Sequence, residues 1–129
     1  MKFLGVDYGA KRVGLAQSDA TGSIAFPLET VPNDANLLAH VQKLMEERRI
    51  HAVVVGDARA FGGGENPVTK DVEAFAQSLK EAGITVEMAW EAGSSIEASR
   101  YAEKGDEHKD EAAAAIILQR FLDMKGGVQ

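Results

Sequence analysis

Phe3-Leu4-Gly5-Val6-Asp7-Tyr8-Gly9-Ala10-Lys11-Arg12-Val13-Gly14-Leu15-Ala16 decides how this chain is read. An apolar run, Phe3 to Val6, has the composition of a buried strand and ends in a carboxylate. A turn holding Gly9 and a basic tip, Lys11 and Arg12, leads into a second apolar run, Val13 to Ala16. A carboxylate at the end of a buried strand is costly to place, because desolvation disfavours its charge. Glycine beside it lets a phosphate or a metal ion approach the backbone. The hairpin therefore points to metal-assisted chemistry on a phosphate. The plainer alternative is a turn aspartate, common after strands.

Outward from this hairpin, residues 2–7 and 12–18 read as the first two strands, Asp19 to Gly22 as a turn, and Ser23 to Val31 as a third strand. Pro27 makes that third strand irregular or an edge, since proline cannot donate to a ladder. Short turns join the three into an antiparallel meander. The periodicity then changes. Asn33-Asp34 can cap a helix carrying Leu37, Leu38, Val41, Leu44 and Met45 at helical spacing. Ala52 to Val55 is a β-branched run, as expected of a strand covered on both faces. Gly56 to Pro67 is a loop. A helix from 68 to 82 has Val72, Phe75, Ala76 and Leu79 on one face and Gly83 as its stop. Ile84 to Trp90 is the last strand. Ser94 or Ser95 caps a short helix through Glu103, residues 105–109 form a charged loop, and Asp110 caps a final helix. The order β-β-β-α-β-α-β-α-α gives an α/β fold. Its five-stranded mixed sheet joins the meander to two parallel strands, with helices on both faces. One domain over residues 1–125 and a flexible tail at 126–129 are expected.

The balance of charge narrows the function classes. The chain has 129 residues, a net charge of −6 and no cysteine. Disulfide frameworks and thiolate zinc sites are excluded. A basic nucleic-acid-binding face is not expected. A metal-dependent nuclease is still compatible, because cations must fill its carboxylate site before phosphate can enter. With no apolar run near the ~20 residues that span a bilayer and no signal-peptide layout, a cytoplasmic protein without membrane contact is expected.

In open α/β sheets ligands gather at the carboxyl ends of parallel strands. Asp7 ends the first strand, Asp57 follows the middle one and Glu91 the last, while Asp110 starts a helix that must pack back on the sheet. The small run Ala112 to Ala115 would let that helix come close. Mg²⁺ or Mn²⁺ suits such oxygen donors, and two ions ~3.5–4 Å apart activate water and stabilise a leaving oxygen. Each residue also has a structural reading. Asp110 is a good N-cap, Asp57 is either an extra ligand or a loop-starting residue, and Glu91 alone reads as a solvated strand end. Gly62-Gly63-Gly64 lacks P-loop spacing and reads as a loop. His40, His51 and His108 show no ligand spacing.

Several stretches together resemble the YqgF/RuvX-type proteins of the RNase H-like superfamily, described as Holliday-junction resolvases and pre-16S ribosomal RNA processing nucleases. They are Gly5-Val-Asp7-Tyr-Gly9 with Val13 to Asp19, Val53 to Gly56, Gly64 to Pro67, Glu91 with Ser94 to Ala98, and Asp110 to Gln119. The resemblance spans nearly the whole chain. It implies an RNase H-like fold, a nuclease acting on structured RNA or branched DNA, and Asp7, Glu91 and Asp110 as both catalytic and metal-holding residues. It also implies departures. Gly56-Asp57-Ala58 stands where the family reads Gly-Leu-Pro, and Trp90-Glu91-Ala92 where it reads Asp-Glu-Arg. Arg59 or Arg100 would then grip the phosphate in place of the missing arginine, and Ser94 and Ser95 would supply the hydroxyls of a usual threonine pair. Lys11 and Arg12, by their place on the hairpin tip, read either as contacts to a nucleic-acid backbone or as ordinary solubility charges. A homodimer is expected if two symmetric strands are cut. Two other functions fit the same residues: a non-catalytic RNA-processing module, and a nucleotide-binding relative of the actin, Hsp70 and sugar-kinase group, which shares the Asp-x-Gly hairpin.

Overall fold

The structure is a computed structural model describing residues 1–56, 68–89 and 110–127. Its elements run β1 (Phe3–Tyr8), β2 (Arg12–Ser18), β3 (Ala25–Pro32), α1 (Leu37–Arg48), β4 (Ala52–Gly56), α2 (Val68–Glu81), β5 (Thr85–Met88) and α3 (Asp110–Gly127). The five strands form one sheet in the order β3-β2-β1-β4-β5. β1–β2 and β2–β3 are antiparallel; β1–β4 and β4–β5 are parallel. This is the expected mixed sheet.

Alternation along the strands builds two cores, because successive side chains point to opposite faces. Leu4, Val6, Val13, Leu15, Val53 and Val55 face α1 and α2, where they pack with Leu37, Val41, Leu44, Val72, Phe75 and Leu79. Phe3, Ala16, Ala52 and Val54 face α3, where they pack with Ala114, Ile117, Leu118 and Leu122. The α2 face read from the sequence, Val72, Phe75, Ala76 and Leu79, is buried throughout. Gly83, with φ of +86°, follows that helix as expected.

Four boundaries differ from the sequence reading. Ser23 and Ile24 donate their backbone N–H groups to the Asp19 carboxylate, at 2.8 and 3.2 Å, which folds them into the turn and delays β3 to Ala25. Asp34 does not cap α1. Its carboxylate takes the N–H of Asn36 at 2.9 Å, a turn upstream, and the helix starts at Leu37 without a side-chain cap. β5 ends at Met88, short of the Trp90 end expected. The final helix runs to Gly127, into the stretch read as a tail. The short helix expected after Ser94 lies outside the described residues.

Pro27 acts on β3 as its chemistry requires. The strand is an edge of the sheet, and its register against β2 shifts between Leu15 and Ala16. Leu15 pairs with Glu29 and Ala16 with Pro27, so Leu28 is the extra residue of a bulge.

Candidate active site

The sheet brings four residues into one row. Asp7 pairs with Gly14 on one side and Gly56 on the other, and Gly14 pairs in turn with Thr30. Paired residues share a face, so Thr30, Gly14, Asp7 and Gly56 all lie on the α3 face. The row lies at the carboxyl end of the parallel strands β1 and β4, the edge where open α/β sheets place ligands. Asp7 is half-buried, with a glycine on each side in the sheet. No side chain rises from the strands beside its carboxylate.

α3 runs antiparallel to β1 across this face. The Phe121 ring meets Phe3 edge-on at 5.8 Å between centroids, and Ala114 and Leu118 lie over Gly5. Two strand residues advance about 6.7 Å, and four helix residues about 6 Å. One step from Gly5 to Asp7 therefore matches one turn from Ala114 back to Asp110, the helix start. The hydrogen bond from the Thr30 hydroxyl to Glu111 Oε1 fixes the same placement independently. The N-terminal end of α3, with its partial positive charge, comes to the Asp7 row.

Two glycines allow this approach. A Cβ on Gly5 would stand 2.8 Å from Leu118 Cβ and 3.1 Å from the Ala114 carbonyl oxygen. A Cβ on Gly56 would stand 3.0 Å from Ala89 Cβ and 3.2 Å from Ile117 Cγ2. Of the alanine run expected to admit the helix, Ala113 and Ala114 are buried, while Ala112 and Ala115 are only partly so. Sheet glycines share the task with them.

The structure thus joins Asp7 to the first turn of α3. The Asp110 side chain lies outside the described residues, and so do Asp57, Arg59, Trp90, Glu91, Ser94, Ser95, Arg100 and His108. Among the described residues no three metal-ligating side chains cluster. Glu111, which the sequence did not single out, reaches the row through Thr30. Only the pairing of Thr30 with Gly14 reveals that link, and a bulge hides the pairing from period-two reading.

Lys11 and Arg12 are exposed on the β1–β2 turn at the same sheet end. That turn is anchored. Asn33 donates from Nδ2 to the Gly9 carbonyl at 2.8 Å and from its backbone N–H to the Lys11 carbonyl at 2.9 Å. Of the two histidines among the described residues, His40 bonds Glu29 at 2.7 Å and His51 Nδ1 accepts the Lys2 N–H at 3.2 Å. Both lie in ordinary surface pairings. No helix among the described residues is long and apolar enough to cross a membrane.

The family model described as "RuvX: Holliday junction resolvase" matches residues 1–124. A "Putative pre-16S rRNA nuclease" of Bordetella avium is 40% identical over 124 residues, covering 93% of each chain. The protein of that name from Streptomyces avermitilis is 38% identical over 131 residues, covering 93% of this chain and 84% of the relative. Among solved structures, Thermus thermophilus RuvC in complex with a Holliday junction substrate superposes with a TM-score of 0.58 at 21% identity, over 98% of this chain and 96% of that one. The RuvC likeness shows a shared RNase H-like fold.

Proposed function

The chain belongs to the RuvX family, and we propose that it is a divalent-metal-dependent nuclease that hydrolyses phosphodiester bonds in structured nucleic acid. The observation that carries this reading is the Asp7 row: a half-buried carboxylate at the carboxyl edge of the parallel strands, between two glycines, under the first turn of α3. Carboxylate oxygen donors suit Mg²⁺ or Mn²⁺, which are hard ions that keep several ligand positions for water and phosphate. Asp7, Glu91 and Asp110 are the residues proposed to hold the ion and to carry catalysis. When bound, the ion supplies charge neutralisation at the phosphate and an activated water.

Asp7 sets one ligand direction from a strand that is paired on both sides, so its backbone has little freedom. Gly14 and Gly56 put no strand side chain of their own beside it. Lys11 and Arg12 hold the nucleic-acid backbone from the anchored turn, and Arg59, Arg100, Ser94 and Ser95 are the proposed further phosphate contacts. The proposed substrate is the 5′ end of pre-16S ribosomal RNA ahead of a four-way DNA junction. Relatives at 32–40% identity carry the first name, whereas the RuvC likeness bears on fold alone. A cytoplasmic site of action fits either substrate. Junction cleavage would call for two copies of the chain, one per symmetric strand.

The test is cleavage of labelled ribosomal RNA precursor and labelled four-way junction DNA, with Mg²⁺ and with Mn²⁺, by wild type and Asp7→Asn. Cutting of one substrate by wild type, lost in Asp7→Asn, is the expected result. Identical behaviour of the two proteins would remove the catalytic reading and leave a non-catalytic RNA-processing module.

A further inference from the structure

We propose that Thr30 and Glu111 form a positioning pair that seats the first turn of α3 on the Asp7 row, with the β3 bulge as the device that aims Thr30. The inference rests on the nuclease reading of that row, and extends it to two residues outside the acidic triad.

Three observations carry it. The first is parity. Ala25 and Pro27 pair with Ser18 and Ala16 on the α3 face. Strict alternation would send residue 29 to that face and residue 30 to the other. The register shift adds Leu28, so Glu29 turns to His40 of α1 and Thr30 turns to α3. Bulges re-aim side chains in this way next to active sites. Without it, no hydroxyl would meet Glu111.

The second is the mounting of α3. At its start, Thr30 donates to Glu111 Oε1. Two turns on, Gln119 donates to the Ser23 carbonyl at 2.9 Å and accepts the Ala25 N–H at 2.8 Å. Between these ties, Leu118 rests on the bare backbone of Gly5. Two polar ties to the edge strand and one apolar fulcrum on β1 determine both the height and the rotation of the helix. Of these ties, it is the Thr30 one that acts on the turn that starts at Asp110.

The third is distance. Thr30 lies two strand spacings from Asp7, about 9–10 Å of sheet, with Gly14 between them. The carboxylate that Thr30 holds is thus offset from Asp7 across the sheet, at the first turn of α3. Glu111 therefore acts on the site through the helix it anchors.

The experiment uses the full chain with Thr30→Val, Thr30→Ser, Glu111→Ala and Glu111→Gln, with thermal melting to confirm folding. Amide hydrogen exchange in residues 114–117, whose N–H groups bond the carbonyls of the first turn, is read alongside Mn²⁺ affinity by calorimetry and kcat and KM for cleavage. Loss of one hydrogen bond corresponds to roughly a ten-fold effect. Thr30→Val and Glu111→Ala should speed first-turn exchange by about that factor, weaken Mn²⁺ binding and lower kcat with KM little changed. Thr30→Ser keeps the donor and Glu111→Gln keeps the acceptor, so both should behave as wild type. First-turn exchange in Thr30→Val equal to wild type would overturn the proposal. So would a Glu111→Gln variant as impaired in Mn²⁺ affinity as Glu111→Ala, because Glu111 would then act by charge as a ligand. Should wild type neither take up Mn²⁺ nor cleave, the nuclease reading falls, while hydrogen exchange still decides whether the pair holds the turn.

Discussion

Gly5 of β1 and Leu118 of α3 meet so closely that a Cβ on the glycine would lie 2.8 Å from the Leu118 Cβ. Both neighbours of that point are fixed: β1 is paired on each side, and Leu118 is fully buried. The added methyl of Gly5→Ala must therefore lift the helix rather than displace a flexible side chain. Overpacking of this kind costs about 1–3 kcal/mol. Urea unfolding should show that loss. Cleavage should fall further than stability alone accounts for, because the same helix carries its first turn over Asp7. A Gly5→Ala protein with wild-type stability and wild-type turnover would contradict this account of the interface.

The strand-and-helix order was legible because its signals are periodic and local. The α2 face from Val72 to Leu79 and the two-sided run Ala52 to Val55 each bury as their spacing requires. Pro27 marked β3 as irregular or an edge from chemistry alone, and the strand is both. The end of α1 was not legible, since no glycine follows it; Arg49 takes the left-handed cap with φ of +57°, and its neighbour Ile50 bonds back to the Met45 carbonyl at 2.9 Å. Asp34 was misread because an aspartate ahead of a helix serves a turn as readily as a cap. In the site, Asp7 stood out as a charge ending an apolar run. Glu111 did not, because its meaning depends on a bulge that no local pattern announces.

Lys11 stands exposed on a turn held by Asn33, at the sheet end that carries Asp7. If it contacts a phosphate, Lys11→Ala should lower the slope of log K against log salt by about 0.9 for duplex DNA arms. Fluorescence anisotropy with a labelled four-way junction, from low to moderate salt, measures this. Affinity should weaken uniformly across sequences, since backbone contacts carry no base information. An unchanged slope would assign the residue to solubility alone.

Asp19 makes the β2–β3 turn sensitive to acid. Its carboxylate is held below the ordinary value of 3.8, chiefly by the Ser23 N–H, then by the Ile24 N–H and the Thr21 hydroxyl, with burial opposing. A folded-state value below the unfolded one means that the stabilisation is complete above the unfolded value and is lost as pH falls through the folded value. The stability gap between wild type and Asp19→Asn should therefore be constant from neutral pH down to about 5, and should narrow on further acidification. Urea denaturation at a series of pH values checks this. A gap that widens in acid would reverse the assigned sign.

Gln119 closes the sheet edge as well as tying down α3. The Ala25 N–H points away from β2 and would be an open donor on an edge strand; the Gln119 amide oxygen takes it at 2.8 Å. Pro27, next on that side, has no N–H to offer. The edge also carries Ile24 and Phe26, which are 52% and 49% exposed, so an open donor there would invite pairing with another chain. Gln119→Ala removes the acceptor for Ala25 and the donor for Ser23 together. The expected cost is about 1–3 kcal/mol for the part-buried N–H left without its partner. Light scattering should show the variant associating at concentrations where wild type does not. Gln119→Glu keeps the acceptor for Ala25 and loses the donor to Ser23, and it sets a carboxylate against Asp123, which now accepts from Gln119 at 3.0 Å. It should therefore lose stability while remaining unassociated, because the edge N–H stays covered. If both variants associate equally, the exposed apolar side chains rather than the uncapped donor drive the contact.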